Sequence, residues 1–164
     1  MKVETQFQLH MSPLRVWSAL ADFGSFAIWH PTYHFTGTAH APGESLQLVW
    51  RLRKDQSVNV DADLVTIQKP QAIGWKSGLA GIITFHEEYE IVPGSEAVEI
   101  VHRFEWRGVL GRMLGLFTTR GVGRAMASQD RALANYLRRG TRTTSTPNRH
   151  KRRAASARSK RGGG

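Results

Sequence analysis

The sequence predicts an α+β fold in which one strand, two short helices, six further strands and one long C-terminal helix follow in order. The hydrophobic period carries this prediction. Val3, Thr5, Phe7 and Leu9 alternate with polar neighbours, which is typical of a half-buried strand. After Gly108 the apolar residues recur at spacings of three, four or seven, and this pattern indicates a helix of about 30 residues.

The two short helices have recognisable start and stop signals. Ser12 can cap free amides, and Pro13 suits the first helical position because proline has no amide hydrogen to leave unpaired. A second turn, FGSFAIW, follows Asp22 and ends before Pro31. The first helix is expected to present an apolar face formed by Leu14, Trp17 and Ala21.

Six strand-like runs separated by turn sequences occupy the middle of the chain. The turns are marked by the sequences APG, KDQ, KPQ, GLAG and VPGSE. The runs are YHFTGTA, PGESLQLVWRLR, SVNVDADLVTIQ, AIGWKSG, IITFHEEYEIV and AVEIVHRFEWRG.

The positive charge of the chain is concentrated at its C-terminus. The formal net charge is +10, but residues 141–164 hold eight Lys or Arg and no acid, which leaves residues 1–140 with 15 basic and 13 acidic residues. Residues 141–164 contain no large apolar side chain, so burial cannot offset the entropy of ordering them. We therefore predict a folded domain at 1–140, with the long helix ending at Arg138, Arg139 and Gly140, and a disordered basic tail at 141–164.

The sequence composition argues against several classes of protein. The chain has no cysteine, so thiolate chemistry, disulfides and cysteine metal sites are excluded. No apolar run approaches the roughly 18 residues of a membrane helix, and the first residues lack the regions of a signal peptide. We expect a cytoplasmic protein without a transmembrane segment.

The stretch DFGSFAIWHPTY, residues 22–33, contains two apparent motifs. The letters DFG also occur in kinases, but the elements that give that aspartate its magnesium role cannot fit into 21 preceding residues. His30 and His34 are four residues apart, but Pro31 breaks the helix that would align them on a metal. We expect neither a metal nor a cofactor.

Four segments together resemble one known superfamily: SPLRVWSALADFGSFAIWHP, GESLQLVW, YEIVPGSEAVEIVHRFEWRG and ALANYLRR. In their order along the chain they resemble the START-like, Bet v 1-like superfamily, and within it the bacterial SRPBCC branch of polyketide cyclase/dehydrase and lipid-transport-like proteins. The resemblance covers about residues 1–140. It implies a helix-grip fold, in which a seven-stranded curved antiparallel sheet wraps around the long C-terminal helix and leaves an internal cavity for an apolar ligand.

Alternation along the strands predicts a bulky inner face that packs on the long helix or lines a ligand cavity. Leu46, Val58 and Leu64 belong to this face. We expect the ligand-binding residues to be Trp29, His30, Leu48, Trp50, Val60, Trp75, Phe85, Tyr89, Phe104 and Trp106, together with Leu110, Met113, Leu114 and Phe117 of the helix. His86 should point to the outer face, because Phe85 points inward.

Glu87 and His102 are the candidate catalytic residues. They share the inner face with Tyr89. A turn at Pro93–Ser95 would place Glu87 directly opposite His102 in the hairpin, or one residue away from that position. A carboxylate and an imidazole in contact could act as an acid/base pair on a carbonyl compound. The alternative, which we favour, is a buried or partly solvated hydrogen-bonded pair without a catalytic role.

Three functions remain open at this point. The first, which we favour, is a non-enzymatic carrier or sensor of a hydrophobic, lipid-like or polyketide-like small molecule. The second is a polyketide cyclase or dehydratase that uses the pocket acid/base residues. The third is an interaction protein whose basic tail binds nucleic acid or a membrane surface nonspecifically. The sequence does not indicate an oligomeric state.

Overall fold

The computed structural model describes the backbone of residues 1–53, 56–79 and 82–144, and the side chains of residues 1–51, 56–78, 82–108 and 119–140. A 3₁₀ turn, Phe23–Ser25, lies between the first two helices. The elements are β1 (Lys2–Leu9), α1 (Pro13–Ala21), α2 (Phe26–Trp29), β2 (Tyr33–Thr36), β3 (Ser45–Arg53), β4 (Gln56–Gln68), β5 (Ala72–Leu79), β6 (Ile83–Pro93), β7 (Val98–Arg107) and α3 (Val109–Thr144).

The seven strands form one antiparallel sheet in the order β1-β7-β6-β5-β4-β3-β2. Only β1 is out of sequence order. It pairs with β7 at one edge of the sheet, and the connection that contains α1 and α2 leads from there to β2 at the other edge. β4 contains a bulge between Leu64 and Thr66, where one extra residue has no partner in β5. A bulge of this kind bends the strand. The result is the predicted curved sheet with two short helices between β1 and β2 and a long C-terminal helix.

The inner face of the sheet packs on the helices. α3 contacts β1, β6 and β7, while α1 contacts β5 and β6 and α2 contacts β2 and α3. Most of the buried apolar side chains form one cluster that includes Phe26, Tyr33 and Trp75. A smaller cluster of Phe104, Trp106 and Met126 fills the region between β7 and α3.

Two predicted apolar faces were partly wrong. α1 buries Val16 and Leu20, while Leu14 is 49% exposed, so the helix is rotated relative to the predicted face. Val58 belongs to the inner face of β4, where it pairs with Trp50, but its side chain is 46% exposed. Alternation therefore places Val58 on the inner face, but the described residues leave it largely uncovered.

The last helix differs from the prediction at its C-terminus. α3 continues four residues beyond Gly140 to Thr144, so the predicted end at Arg138, Arg139 and Gly140 was wrong. Residues 145–164, most of the predicted basic tail, lie outside the described residues, and its disorder and any anionic partner remain predictions. No helix in the described part of the chain is long and apolar enough to span a membrane.

The turn between β7 and α3 gives a test of the fold. Gly108 has φ of +105°, and a Cβ added there would lie 2.4 Å from the carbonyl oxygen of Ile82. Gly43 has a similar φ of +90°, but no atom lies within 4 Å of its added Cβ. Both glycines resist substitution by alanine because an L-residue is strained at positive φ.

We expect Gly108→Ala to lower the free energy of unfolding by at least about 2 kcal/mol more than Gly43→Ala does, because only the first adds a backbone clash. Urea unfolding of the two variants and the wild type measures the difference. Equal losses would contradict the close approach of the β7–α3 turn to Ile82.

Candidate functional site

A chain of three ionisable side chains crosses the interior from the sheet to α3. His102 Nε2 lies 3.0 Å from Glu87 Oε1, and its Nδ1 lies 2.8 Å from Asp130 Oδ1. The Thr5 hydroxyl donates to the other Asp130 oxygen at 2.6 Å. His102 has no exposed surface and Glu87 is 3% exposed, so the central hydrogen bonds are shielded from solvent.

The β6–β7 hairpin places Glu87 and His102 diagonally across two strands. Glu87 pairs with Phe104 and Tyr89 pairs with His102. The predicted turn at Pro93–Ser95 was wrong, because Pro93 still pairs with Val98 and the turn spans residues 94–97. The predicted contact forms nevertheless, since diagonal neighbours on one face of an antiparallel pair are within reach of long side chains.

The contacts of His102 favour its imidazolium form. Burial by itself would lower the pKa of His102, but hydrogen bonds and charges from Asp130 and Glu87 outweigh burial, and its pKa is raised. Each ring nitrogen then donates a proton to one carboxylate.

Two tyrosines lie beside this chain. The Tyr89 ring stacks on the His102 ring, with centroids 4.0 Å apart and an interplanar angle of 14°. Burial, and then the Glu87 carboxylate, raises the pKa of both Tyr33 and Tyr89 well above 10, so both hydroxyls keep their protons. Both hydroxyls interact with the Glu87 carboxylate, which contributes to the raised pKa of each, but neither contact has the geometry of a full hydrogen bond.

His30 is a neutral donor on the other side of the cluster. Its Nδ1 accepts the backbone N–H of Tyr33 at 3.2 Å and that of Thr32 at 3.4 Å. Burial, followed by the positive charge of His102, lowers the pKa of His30 from 6.5 to about 3. The ring therefore carries its proton on Nε2, and this buried atom has no hydrogen-bond partner among the described residues.

Gln129 completes the group from α3. Its Nε2 donates to the Thr32 hydroxyl at 3.2 Å, and its Oε1 is buried without a partner in the described part of the chain. We use the name interior polar cluster for the set of buried side chains that these contacts and electrostatic interactions connect. Its members are His30, Tyr33, Glu87, Tyr89, His102, Gln129 and Asp130.

The structure brings Glu87 and His102 together, and the described apolar candidates for ligand binding belong to two apolar clusters. The described members share the inner face or the wall formed by α2, and the larger apolar cluster contains Trp29, Leu48, Trp75 and Tyr89, with Trp50 and Val60 packed against it. Phe104, Trp106 and Phe85 belong to the smaller cluster. The side chains of Leu110, Met113, Leu114 and Phe117 lie outside the described residues.

Sequence analysis missed Tyr33, Asp130 and Gln129 as members of the site. Asp130 had a signal, because it lies four residues after Met126 and three before Leu133, on the buried stripe of α3. An acid at such a position requires a buried partner. Tyr33 also had one, since it lies two residues before the buried Phe35 on the same strand face.

His86 differs in part from its prediction. It pairs with Lys76 and Glu105 and lies on the outer face of the sheet, as expected. Its side chain is nevertheless half-buried, and its Nε2 is covered without a hydrogen-bond partner among the described residues. His86 is therefore less exposed than a surface residue, and it lies on the face opposite the cluster.

The two buried histidines should give opposite slopes of stability against pH. The pKa of His30 falls on folding, so its contribution is complete above pH 6.5 and is lost as the pH falls toward about 3. The pKa of His102 rises on folding, so its contribution is complete below about pH 6.5 and is lost as the pH rises through the folded-state value. Each slope reaches at most about 1.4 kcal/mol per pH unit.

We expect His102→Gln to flatten the slope above pH 6.5, and His30→Asn, which keeps an acceptor for the Tyr33 amide, to reduce the slope below it. Urea unfolding from pH 4 to 9 measures both. His40→Gln, an exposed substitution, is the control and should retain both slopes. An unchanged alkaline slope in His102→Gln would contradict a buried imidazolium.

Comparison with known proteins agrees with this architecture. A START superfamily protein from Mycobacterium smegmatis has 16% identity and a TM-score of 0.66, with 84% of this chain and 97% of that chain covered. A protein from Arthrobacter aurescens has 12% identity and a TM-score of 0.70, with 84% and 86% covered. DynU16, from the dynemicin biosynthetic locus, has 16% identity and a TM-score of 0.66; 85% of this chain matches 48% of DynU16.

At 12–16% identity these solved structures show a shared fold alone. A search of curated proteins gives no match. The family model described as polyketide cyclase / dehydrase and lipid transport matches residues 1–138, which is most of the chain. The chain therefore belongs to this polyketide cyclase / dehydrase and lipid transport family, and its helix-grip architecture is START-like.

Proposed function

We propose that this protein binds a hydrophobic small molecule, lipid-like or polyketide-like, between the sheet and α3, and acts as its carrier or sensor. The apolar body of the ligand lies against the aromatic inner face, and a polar end reaches the interior polar cluster. Family membership and the START-like fold support ligand binding in general. The polar end is inferred from the chemistry of the cluster.

Apolar side chains that are only partly covered support the position of the ligand body. Trp50, Val60 and Phe85 are half-buried on the inner face, beside the exposed Val58. The Trp50 and Phe85 ring centroids are 5.9 Å apart, and Phe85 continues to Phe104 at 5.6 Å. A ligand that covered this row would gain roughly 25 cal/mol for each Å² of apolar surface removed from water.

One observation carries the polar end of the proposal. Two buried polar atoms of the interior polar cluster, His30 Nε2 and Gln129 Oε1, have no hydrogen-bond partner among the described residues, and the hydroxyls of Tyr33 and Tyr89 interact with the Glu87 carboxylate. Each such atom costs about 1–3 kcal/mol when it is buried unpaired, and this cost is recovered when a bound group pairs with it. A cluster of them in an aromatic interior is typical of a ligand site with a few orienting polar groups.

A matched ligand should stabilise the folded protein by mass action. At a ligand concentration 100 times the Kd, the gain is about 2.7 kcal/mol, which raises the Tm of a domain of this size by about 5–11 °C. We expect such a shift with at least one compound of a lipid, quinone and polyketide panel. Native mass spectrometry of gently purified protein should show a co-purified small molecule.

The matched control for the cluster uses two glutamates on opposite faces of the sheet. Glu87→Gln removes the inner charge and should change ligand affinity about tenfold, since hydrogen bonds to charged groups contribute about 1.5–3 kcal/mol. Glu99→Gln on the same hairpin changes a residue that pairs with Gln8 and Val92 and should leave affinity unchanged.

No thermal shift across the panel, together with no co-purified molecule, would refute ligand binding.

A second candidate function is a cyclase or dehydratase acting on a carbonyl compound. The observation in its favour is the Glu87–His102–Asp130 chain, which can supply a proton at Glu87 and hold the resulting imidazole through Asp130. Asp130 also lines a cleft of about 480 Å³ between β1 and α3, with Gln8, Arg131 and Arg138 among the other lining residues. Proton exchange with solvent at Asp130 would therefore not require the ligand to leave.

The enzyme alternative predicts a chemical change in the bound compound. Incubating a ligand from the panel with the protein and analysing it by mass spectrometry distinguishes the two functions. A carrier returns the compound unchanged. An enzyme returns a dehydrated or cyclised product, and both Glu87→Gln and His102→Ala should then abolish its formation; unchanged turnover in both variants would exclude this mechanism.

A further inference from the structure

We propose that the polar end of the ligand is a neutral hydroxyl group, as in a phenol or an alcohol, which accepts a hydrogen bond from His30 and donates one to Gln129. This inference rests on the proposed ligand-binding function and names the chemical class that the site selects. It excludes carboxylates, such as ionised fatty acids, as the preferred ligands.

His30 requires a ligand atom that accepts. Because Nδ1 is occupied by the backbone N–H groups of Tyr33 and Thr32, the proton of the neutral ring is on Nε2. That N–H group is buried and unpaired among the described residues. It is a donor that has no second role, since a neutral imidazole with this tautomer cannot accept at Nε2.

Gln129 requires a ligand atom that donates. Its amide nitrogen is engaged with the Thr32 hydroxyl, which leaves Oε1 as an acceptor without a partner in the described residues. The same Thr32 hydroxyl lies 3.4 Å from His30 Nδ1. The two side chains that carry the unpaired donor and the unpaired acceptor are thus joined at Thr32 through their other polar atoms, His30 Nδ1 and Gln129 Nε2.

Only some polar groups can satisfy both requirements with one atom. A hydroxyl oxygen accepts from His30 Nε2–H while its own hydrogen is donated to Gln129 Oε1. A ketone or an ether accepts but leaves Gln129 Oε1 unpaired. The hydroxyls of Tyr33 and Tyr89 can donate or accept, so they add hydrogen bonds to any of these groups and do not discriminate between them.

The charge of the cluster opposes an anion. Glu87 and Asp130 already place two carboxyl groups on the single imidazole of His102, so a carboxylate entering beside Glu87 would be a third acid in a buried site. Two carboxylates that share a site cannot both ionise at low cost, and burial adds the desolvation penalty. A neutral hydroxyl avoids both costs.

The test uses two sets of compounds that differ only in the polar end. One set is 2-naphthol, 2-methoxynaphthalene and 2-naphthoate; the other is 1-decanol, methyl decyl ether and decanoate. Quenching of tryptophan fluorescence and titration calorimetry at pH 7.5 give the Kd of each with the full chain. In at least one set we expect the hydroxyl compound to bind about tenfold or more tightly than its ether, and the carboxylate to bind most weakly.

Gln129→Met removes the unpaired acceptor while keeping the length of the side chain. It should bring the hydroxyl and ether affinities to within about twofold, and Arg131→Met, on an exposed part of the same helix, should leave the preference intact. If the compounds bind without preference for the hydroxyl, or if the carboxylates bind best, the hydroxyl inference is wrong and ligand binding stands. If no compound of either set binds, the hydroxyl inference is wrong, and the ligand panel with native mass spectrometry decides the proposed function separately.

Discussion

The pair of buried hydrogen bonds made by His102 is the interaction on which the rest of the site depends. It joins carboxylates from two elements, Glu87 on β6 and Asp130 on α3, and so connects the sheet to the helix. Placing these charges in an interior is expensive unless each is paired. Removing one partner would leave an uncompensated buried charge, which costs about 3–5 kcal/mol. The chain therefore fixes α3 on the sheet at one position.

This charged chain also explains the state of its neighbours. Burial, with the charge of His102 as a second cause, keeps His30 neutral, and burial, with the Glu87 carboxylate as a second cause, keeps Tyr33 and Tyr89 protonated. Burial and the neighbouring charges thus act in the same direction on three donors of the interior. Aromatic packing holds them in place: the His30 ring lies 3.6 Å from the Tyr33 ring, and Tyr33 lies beside Trp50 and Trp75.

Local periodicity was sufficient to predict the order of elements, since period-two strands and a period-3.6 helix follow from which side chains must be buried. It also placed Glu87 and His102 on one face. Local periodicity could not predict the pairing register, because the register depends on where the turn closes. In the structure Pro93 still belongs to β6, so the turn lies later than predicted. The face of α1 was also mispredicted: Leu14 and Val16 are both apolar, and only packing against β5 and β6 decides which is buried.

Asp130 and Gln129 were harder to predict, because a polar residue on a helix becomes a site member only through a contact distant in sequence. Asp130 is 28 residues from His102 and 125 from Thr5. Gln129 likewise finds its hydrogen-bond partner, Thr32, 97 residues away in the sequence. Sequence alone indicated the fold and one pair of the cluster, while the topology of β1 and the position of α3 supplied the remainder.

Ring ¹⁵N NMR of histidine-labelled protein tests the central claim most directly, with His102→Gln and His30→Asn used for assignment. At pH 7 we predict that both ring nitrogens of His102 carry protons, that His30 carries one on Nε2 only, and that a bound ligand shifts the His30 Nε2–H signal. A neutral His102 ring, or a His30 signal that does not respond to a ligand that binds, would contradict the account.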